Sequence, residues 1–113
     1  MASPRRFFNS QAVDEWVEVD SVAAGIATAT KTGVAGQTHY LTGIWCSFDA
    51  AEAFANLQVK NAAVALSELH HFSDHIEIMF SEPVPFLVGG DAVVALSAGT
   101  GQGTVTMWGF TVA

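Results

Sequence analysis

Apolar and polar residues alternate along most of the chain after residue 13, which is the period-two pattern of β-strands with one buried face. Turns rich in glycine or proline separate the alternating segments. The predicted strands lie within residues 16–20, 25–33, 38–48, 57–69 (two short strands), 75–80, 93–97 and 104–112. Seven or eight strands at such regular spacing predict an all-β fold, an antiparallel β-sandwich.

Two of these strands have apolar residues on both faces. Simple alternation within 38–48 separates Leu41 and Trp45 from a second set, formed by Tyr40, Ile44, Cys46 and Phe48. In the last strand the same rule separates Val105 and Met107 from a set formed by Trp108, Phe110 and Val112. The pattern therefore indicates that both faces of these strands are covered.

Three short segments depart from the strand pattern. The segment "DAAEAFANL" offers Asp49 as an N-cap and is the only plausible helix, of one or two turns. Asn61 tolerates the positive φ of a tight turn and predicts a hairpin between the two strands within 57–69. Pro83 and Pro85 cannot donate ladder hydrogen bonds, so their segment must be a strand edge or a loop.

Composition indicates a single domain that hides part of its surface. The chain has 113 residues, of which 13% are charged and 50% hydrophobic, whereas about a quarter of residues are charged in an average protein. A surface with so little charge is most simply explained by an oligomer or a larger assembly, although a monomer coated with Thr, Ser and Ala is the alternative. We predict an extended N-terminal arm at 1–13 and one β-sandwich domain at 14–113.

The charges are distributed unevenly. The net charge is −7, and both arginines lie in the first thirteen residues, which contain no acidic residue. The acidic body disfavours nucleic acid and anionic membranes as partners. Arg5, Arg6, Phe7 and Phe8 form a basic and aromatic cluster that we interpret as a docking arm, with a disordered tail as the alternative. We find no secretory or membrane-spanning pattern.

Candidate chemistry is sparse. His70, His71 and His75 lie close to Asp74 and Glu77 and supply the atom types of a metal site, but neighbours on a strand point to opposite faces. We therefore interpret 70–74 as a polar turn before a strand whose core face holds Ile76, Ile78 and Phe80. Cys46 and His39 would be about 23 Å apart along one strand, at about 3.3 Å per residue, so Cys46 is a core residue. No catalytic, cofactor or metal residue is predicted, and the chain is predicted not to be an enzyme.

Several aromatic residues have more than one interpretation. Tyr40, Trp45 and Trp108 could form a stacking platform for a sugar, but in a small sandwich such residues more often belong to the core or to a subunit interface. The candidate oligomer interface consists of Trp45, Met107, Trp108 and Phe110.

The second half of the chain, from about residue 38, resembles the small β-sandwich decoration or cement proteins on the capsids of tailed bacteriophages. The resemblance rests on "YLTGIWCSFDAAEAFANLQVKNAAVALSEL" followed by "HIEIMFSEPVPFLVGGDAVVALSAGTGQGTVTMWGF". It includes a hairpin at Lys60 and Asn61, a strand that ends in the spacing F-x-x-P from Phe80 to Pro83, and a final strand that ends near Gly109. At the hairpin, where such proteins usually have glycine, this chain has Asn61 and Ala62.

This resemblance implies a jelly-roll-like sandwich, a homotrimer, and binding to the major capsid protein through the N-terminal arm or the base of the sandwich. It implies a virion protein on the capsid exterior, made in the host cytoplasm, that needs no cofactor and stabilises the particle. Two alternatives stay open at this point. One is a carbohydrate- or receptor-binding module of a virion fibre, and the other is a small metal-dependent β-barrel enzyme that would use His70, His71 and His75.

Overall fold

The computed structural model describes residues 14–49, 55–62, 64–65, 70–99 and 101–113, and within these ranges the chain forms nine β-strands and no helix. The strands are β1 (Asp14–Ala23), β2 (Ala27–Lys31), β3 (Thr38–Phe48), β4 (Ala55–Asn61), β5 (Val64–Ala65), β6 (His70–Phe72), β7 (His75–Pro85), β8 (Ala92–Leu96) and β9 (Gln102–Val112). None of the described segments is a helix that could cross a membrane.

The strands form two antiparallel sheets. One sheet has the order β1-β9-β3-β7, and the other has the order β2-β8-β4-β5, with β6 also paired to β4. Pairing is nested, because β1 pairs with β9, β2 with β8 and β3 with β7. The predicted antiparallel β-sandwich is confirmed, with β6 as a strand that the sequence pattern did not predict.

A β-bulge in β3 changes which of its residues face the core. The register shifts between Leu41 and Gly43 relative to both β7 and β9. Opposite β9 the extra residue is Thr42, whereas opposite β7 the extra residues belong to β7, at 80–83. Leu41 therefore shares the buried face with Ile44 and Cys46, and all three are fully buried. The predicted grouping of Leu41 with Trp45 was wrong, because strict alternation does not continue through a bulge.

The segment around the histidines also differs from the prediction. His70–Phe72 is strand β6, which pairs with Ala55, Asn56 and Leu57 of β4. The turn is confined to Ser73 and Asp74, and Asp74 has a positive φ of 61°. The expected polar turn over 70–74 was wrong for His70–Phe72, because pairing to β4 overrides a polar local sequence.

β7 is an edge strand, as its prolines require. Among the described strands it pairs only with β3, and it contains both Pro83 and Pro85. Pro83 lies within residues 80–83 of β7, in the shifted part of the register opposite Thr42, whereas Pro85 pairs with Tyr40 where regular pairing resumes. The core-facing positions of the strand, Ile76, Ile78 and Phe80, pack against the buried cluster as predicted.

The predicted hairpin is confirmed in position but not in its turn residue. β4 and β5 pair antiparallel through Lys60 with Ala65 and Asn61 with Val64. Ala62, not Asn61, has the positive φ, of 54°. Asn61 is buried, and its side-chain oxygen accepts a hydrogen bond from the Leu87 N–H at 2.9 Å. Asn61 therefore holds the loop that follows β7 against the hairpin.

The body of the predicted helical turn, residues 50–54, lies outside the described residues. Its two ends are described, and neither is helical. Asp49 was expected to be an N-cap, but its carboxylate accepts a hydrogen bond from the Gln102 N–H at 2.7 Å. Ala55 and the residues after it form β4. Asp49 thus connects the end of β3 to the start of β9.

A single core fills the space between the sheets. Its large, fully buried apolar side chains are Leu41, Ile44, Leu57, Val94, Leu96, Val105 and Met107. The strands β3, β4, β8 and β9 contribute these residues, so both sheets depend on the same core. Burial at about 25 cal/mol per Å² of apolar surface is the main stabilising contribution.

Candidate protein-binding face of the four-stranded sheet

The register of the four-stranded sheet places residues from β1, β9, β3 and β7 in rows across its outer face. Paired residues in antiparallel strands project to the same side. The four rows are Glu15, Phe110, Tyr40 and Pro85; Val17, Trp108, Gly43 and Met79; Val19, Thr106, Trp45 and Glu77; and Ser21, Thr104, Ser47 and His75. The first three rows contain most of the apolar residues, whereas the fourth is polar.

Large apolar residues of the first three rows remain accessible to solvent. Val17 and Met79 are each 62% exposed, Val19 is 58% exposed and Trp45 is 41% exposed. We call these four residues together with Tyr40, Trp108 and Phe110 the apolar band. Isolated exposed apolar residues are ordinary, but a contiguous set crossing all four strands is typical of an interaction surface.

The aromatic rings of the apolar band are held in place by their neighbours. Tyr40 and Phe110 stack with ring centroids 5.0 Å apart and an interplanar angle of 11°. The indole ring of Trp108 lies directly against Gly43, so close that a Cβ atom at residue 43 would overlap the ring. The strands thus present rigid aromatic surfaces that lose little conformational entropy when a partner binds.

A cleft opens in the apolar band where β3 is bulged. It has a volume of about 470 Å³ and is lined by Glu15, Trp16, Val17, Thr42, Trp108, Gly109 and Phe110. The bulge at Thr42 interrupts the rows next to the paired strands β1 and β9. We call this feature the β1–β9 cleft.

The charges on this face are acidic. Glu15 borders the β1–β9 cleft, and Glu77 lies in the row of Trp45. Among the described residues, the lysines are Lys31 of β2 and Lys60 of β4, both in the other sheet. The apolar band is therefore flanked by carboxylates and suits a partner that is both apolar and basic.

A buried polar network fixes Trp16 behind the cleft. The Trp16 Nε1–H donates to Thr111 Oγ1 at 3.0 Å, and Thr111 Oγ1 lies 2.6 Å from His39 Nδ1. His39 Nε2 lies 2.9 Å from the Thr32 carbonyl oxygen, which can only accept, so Nε2 carries the hydrogen. The Thr111 hydroxyl therefore donates to Nδ1. Each polar atom of this network is satisfied, and His39 has a structural role.

The structure brings together three of the four residues predicted as an interface. Trp45, Trp108 and Phe110 project from the outer face, together with Tyr40 from the alternative sugar platform. Met107 does not join them, because it is fully buried in the core on the opposite face of β9. The predicted docking residues Arg5, Arg6, Phe7 and Phe8 lie outside the described residues.

Sequence reasoning missed the contributions of Val17, Val19 and Met79 to the apolar band. Their alternation with neighbouring residues was visible, but alternation does not say which face of a strand is buried. In β1 the buried residue is Trp16, because its indole N–H reaches Thr111 on β9. That partner is 95 residues away along the chain, so no local pattern could have indicated it.

The three histidines of the candidate metal site belong to different sheets. His70 and His71 are in β6, which pairs with β4, whereas His75 opens β7 and pairs with Ser47 of β3. Within the part of the chain that the structure describes, no group of three or more His, Cys, Asp or Glu residues could hold a metal ion.

Cys46 is a core residue, as the sequence predicted, and it is fully buried. Burial raises the pKa of its thiol to about 12, so the reactive thiolate is scarce in the folded protein. We expect no reaction of the native protein with a disulfide reagent at mildly alkaline pH, and stoichiometric reaction after denaturation in guanidinium chloride. The S47C variant is the control, since residue 47 projects to the outer face and should add one fast-reacting thiol. Fast reaction of Cys46 itself would contradict its buried position.

No protein-family model matches the chain, and no curated protein matches its sequence. Several solved structures are similar to this chain at low identity. A protein chain in the virus-like particle of the giant freshwater prawn Macrobrachium rosenbergii extra small virus (XSV) is 8% identical to this chain. The match has a TM-score of 0.43 and covers 92% of this chain and 80% of that chain. A protein chain in the acid-stable capsid of Helicobacter pylori bacteriophage KHP30 is 7% identical to this chain. The match has a TM-score of 0.45 and covers 91% of this chain and 95% of that chain. A Bacillus endospore appendage protein is 12% identical, with a TM-score of 0.41 over 100% and 97%.

Proposed function

We propose that this chain is a non-enzymatic structural protein of a virion, a capsid decoration or cement protein that self-associates and binds the major capsid shell. The observation that carries the proposal is the apolar band, which crosses all four strands of one sheet. The nested pairing of strands is that of a jelly roll, an architecture found in viral capsid domains as well as in lectins and cupins. The resemblance of residues 38–113 to phage decoration proteins favours the first of these.

The size of the outer face agrees with a protein partner. Four strands about 4.8 Å apart and about ten residues long give a face of roughly 20 by 30 Å. The projected area of such a face, about 600 Å², is of the same order as the roughly 800 Å² that a stable interface buries on each partner. The low charge of the chain has the same explanation, because a surface that is covered in the assembly does not need to be charged.

In this proposal the band is the self-association surface, and a homotrimer is the expected oligomer. The N-terminal segment with Arg5 and Arg6 supplies a second contact between copies, and the base of the sandwich binds the shell. Several copies bound to one shell would add avidity, because each later contact becomes intramolecular. The binding free energy would come from buried apolar area at the band.

A carbohydrate-binding role is the second candidate, and the exposure of Trp45 favours it. A sugar site combines an aromatic platform with polar side chains that hydrogen-bond the hydroxyl groups. The row of Trp45 supplies Thr106 and Glu77, whereas the rows of Trp108 and Phe110 are mainly apolar. Selective binding on a glycan array would favour this candidate over the virion structural role.

Placing a charge in the apolar band is expected to dissociate the oligomer. We expect wild-type protein to have a native mass several times that of the 11.9 kDa chain in light scattering, and V19K and M79K to shift it toward the monomer. A lysine at either position would lose part of its hydration when a second copy covers the band, and this desolvation opposes association. The matched control is V64K, because Val64 is 66% exposed on β5 of the other sheet.

The same samples test binding to the shell. Wild-type protein should cosediment with capsid shells that were assembled without it. A wild-type monomer would overturn the self-association, and an oligomer that never cosediments would overturn the decoration role alone.

A further inference from the structure

The β1–β9 cleft has the chemistry of a site for an aromatic and basic peptide. Trp108, Phe110 and Val17 supply apolar walls, and the exposed Glu15 lies at its border. A volume of about 470 Å³ falls within the range of cavities that hold small molecules, so it can accept one or two aromatic side chains. A carboxylate beside aromatic walls favours a guanidinium group, which can pair with the carboxylate and stack on a ring.

The chain itself contains one segment with this chemistry. Arg5 and Arg6 are its only arginines, and they are followed directly by Phe7 and Phe8. The described lysines, Lys31 and Lys60, lie on the other sheet and cannot serve the same carboxylate. Residues 5–8 are therefore complementary to the cleft in both charge and apolar character.

The chain length also permits contact between this segment and the cleft. Five residues lie between Phe8 and Asp14, where β1 begins, and the six residue steps of an extended chain span about 20 Å. Glu15 borders the cleft at the second residue of β1. The described chain therefore begins beside the cleft, and the preceding segment is long enough to reach a neighbouring copy that packs against the same sheet.

We infer that residues 5–8 of one copy bind in the β1–β9 cleft of a neighbouring copy, with Phe7 and Phe8 against Trp108 and Phe110 and an arginine paired with Glu15. This inference rests on the self-association in the proposed function and names the contact that joins the copies. One arm cannot cover the whole apolar band, which extends to Met79 on β7. A neighbouring copy is needed to cover the rest, and it brings its own arm.

Charge reversal across the contact tests the pairing in the full chain. The R5E/R6E and E15R variants should each weaken association at least tenfold in a dilution series followed by light scattering, because each places like charges together. The combined R5E/R6E/E15R variant should restore most of the loss. The matched control is K60E, which reverses a cation on the other sheet and should leave association unchanged. If the R5E/R6E/E15R variant associates no better than R5E/R6E or E15R, the pairing of an arginine with Glu15 is overturned.

The apolar part of the contact has its own test. The F7S/F8S variant should associate about a hundredfold more weakly, because the transfer of two aromatic side chains from water is lost. The control is V34S in the loop before β3, where Val34 is also exposed. Wild-type association in F7S/F8S would overturn the assignment of the phenylalanines to the cleft.

A disulfide trap identifies which copy provides the arm. In the F8C/V17C variant, oxidation should give covalent dimers and larger species on a non-reducing gel, since Cys46 is buried and does not compete. The F8C/T30C variant is the control, because Thr30 is exposed on β2 of the other sheet. A link within one chain, no link, or equal dimer formation in the control would each overturn the inference. An oligomer that persists in these negative cases would leave the proposed function intact, whereas a wild-type monomer would remove both.

Discussion

Replacing Gly109 with alanine is expected to lower the free energy of unfolding by about 3 kcal/mol or more. A Cβ atom at Gly109 would overlap the Tyr40 carbonyl oxygen and lie 2.8 Å from Cζ2 of Trp16. The carbonyl belongs to the backbone of β3, which is fixed by pairing to β9, so it cannot move away without breaking the ladder. The backbone of Gly109 is not in the left-handed region, so the loss of stability in G109A comes from the steric overlap.

The G43A variant is the matched comparison for G109A. A Cβ atom at Gly43 would also overlap a neighbour, but that neighbour is the side chain of Trp108 on the outer face. The indole ring can shift by rotation about its side-chain bonds, whereas the Tyr40 carbonyl cannot, so we expect a smaller loss of about 1 kcal/mol. Urea unfolding followed by tryptophan fluorescence measures both variants at one protein concentration. Equal losses in G43A and G109A would show that the Tyr40 backbone yields as easily as the Trp108 ring.

Replacing Thr111 with valine is expected to cost about 2–4 kcal/mol of stability, because it leaves two buried polar groups without partners. The Trp16 indole N–H would lose its acceptor, and His39 Nδ1 would lose its donor. Valine has nearly the shape of threonine, so little packing is lost and the effect reports on the hydrogen bonds.

Two controls separate this network from general effects of β9. T106V makes the same substitution on the same strand, but Thr106 lies on the outer face, and we expect a change of about 0.5 kcal/mol or less. T111S keeps the hydroxyl group and should lose only the contribution of a methyl group, about 1 kcal/mol. An equal loss of unfolding free energy in T111V and T106V, measured by urea unfolding, would contradict the stabilising role of the network.

The apolar band gives the unusual composition of this chain a physical explanation. Strands β3 and β9 are apolar on both faces, because one face fills the core and the other forms the band. A sheet that is covered on one side only would alternate apolar with polar residues. The pattern that predicts the strands therefore agrees with the proposed partner for the outer face.

The sequence by itself determined the class of fold and most of the strands. Period-two alternation located β3, β7 and β9, and the prolines of β7 required an edge position, which the structure confirms. Local pattern sufficed for these features because strand propensity, side-chain alternation and proline geometry act within a few residues of the chain. The low charge likewise predicted a hidden surface.

Only the tertiary structure decided which residues form the exposed apolar band. The bulge at Thr42 moved Leu41 into the core, and β9 placed Met107 inside while Trp108 and Phe110 remained outside. Pairing to β4 turned His70–Phe72 into a strand, and the hydrogen bond to Thr111 selected Trp16 as the buried residue of β1. Each of these outcomes depends on contacts between residues far apart in the chain. Local alternation reports only that a strand has two faces, whereas the choice of the buried face is made by the strands that pack against it.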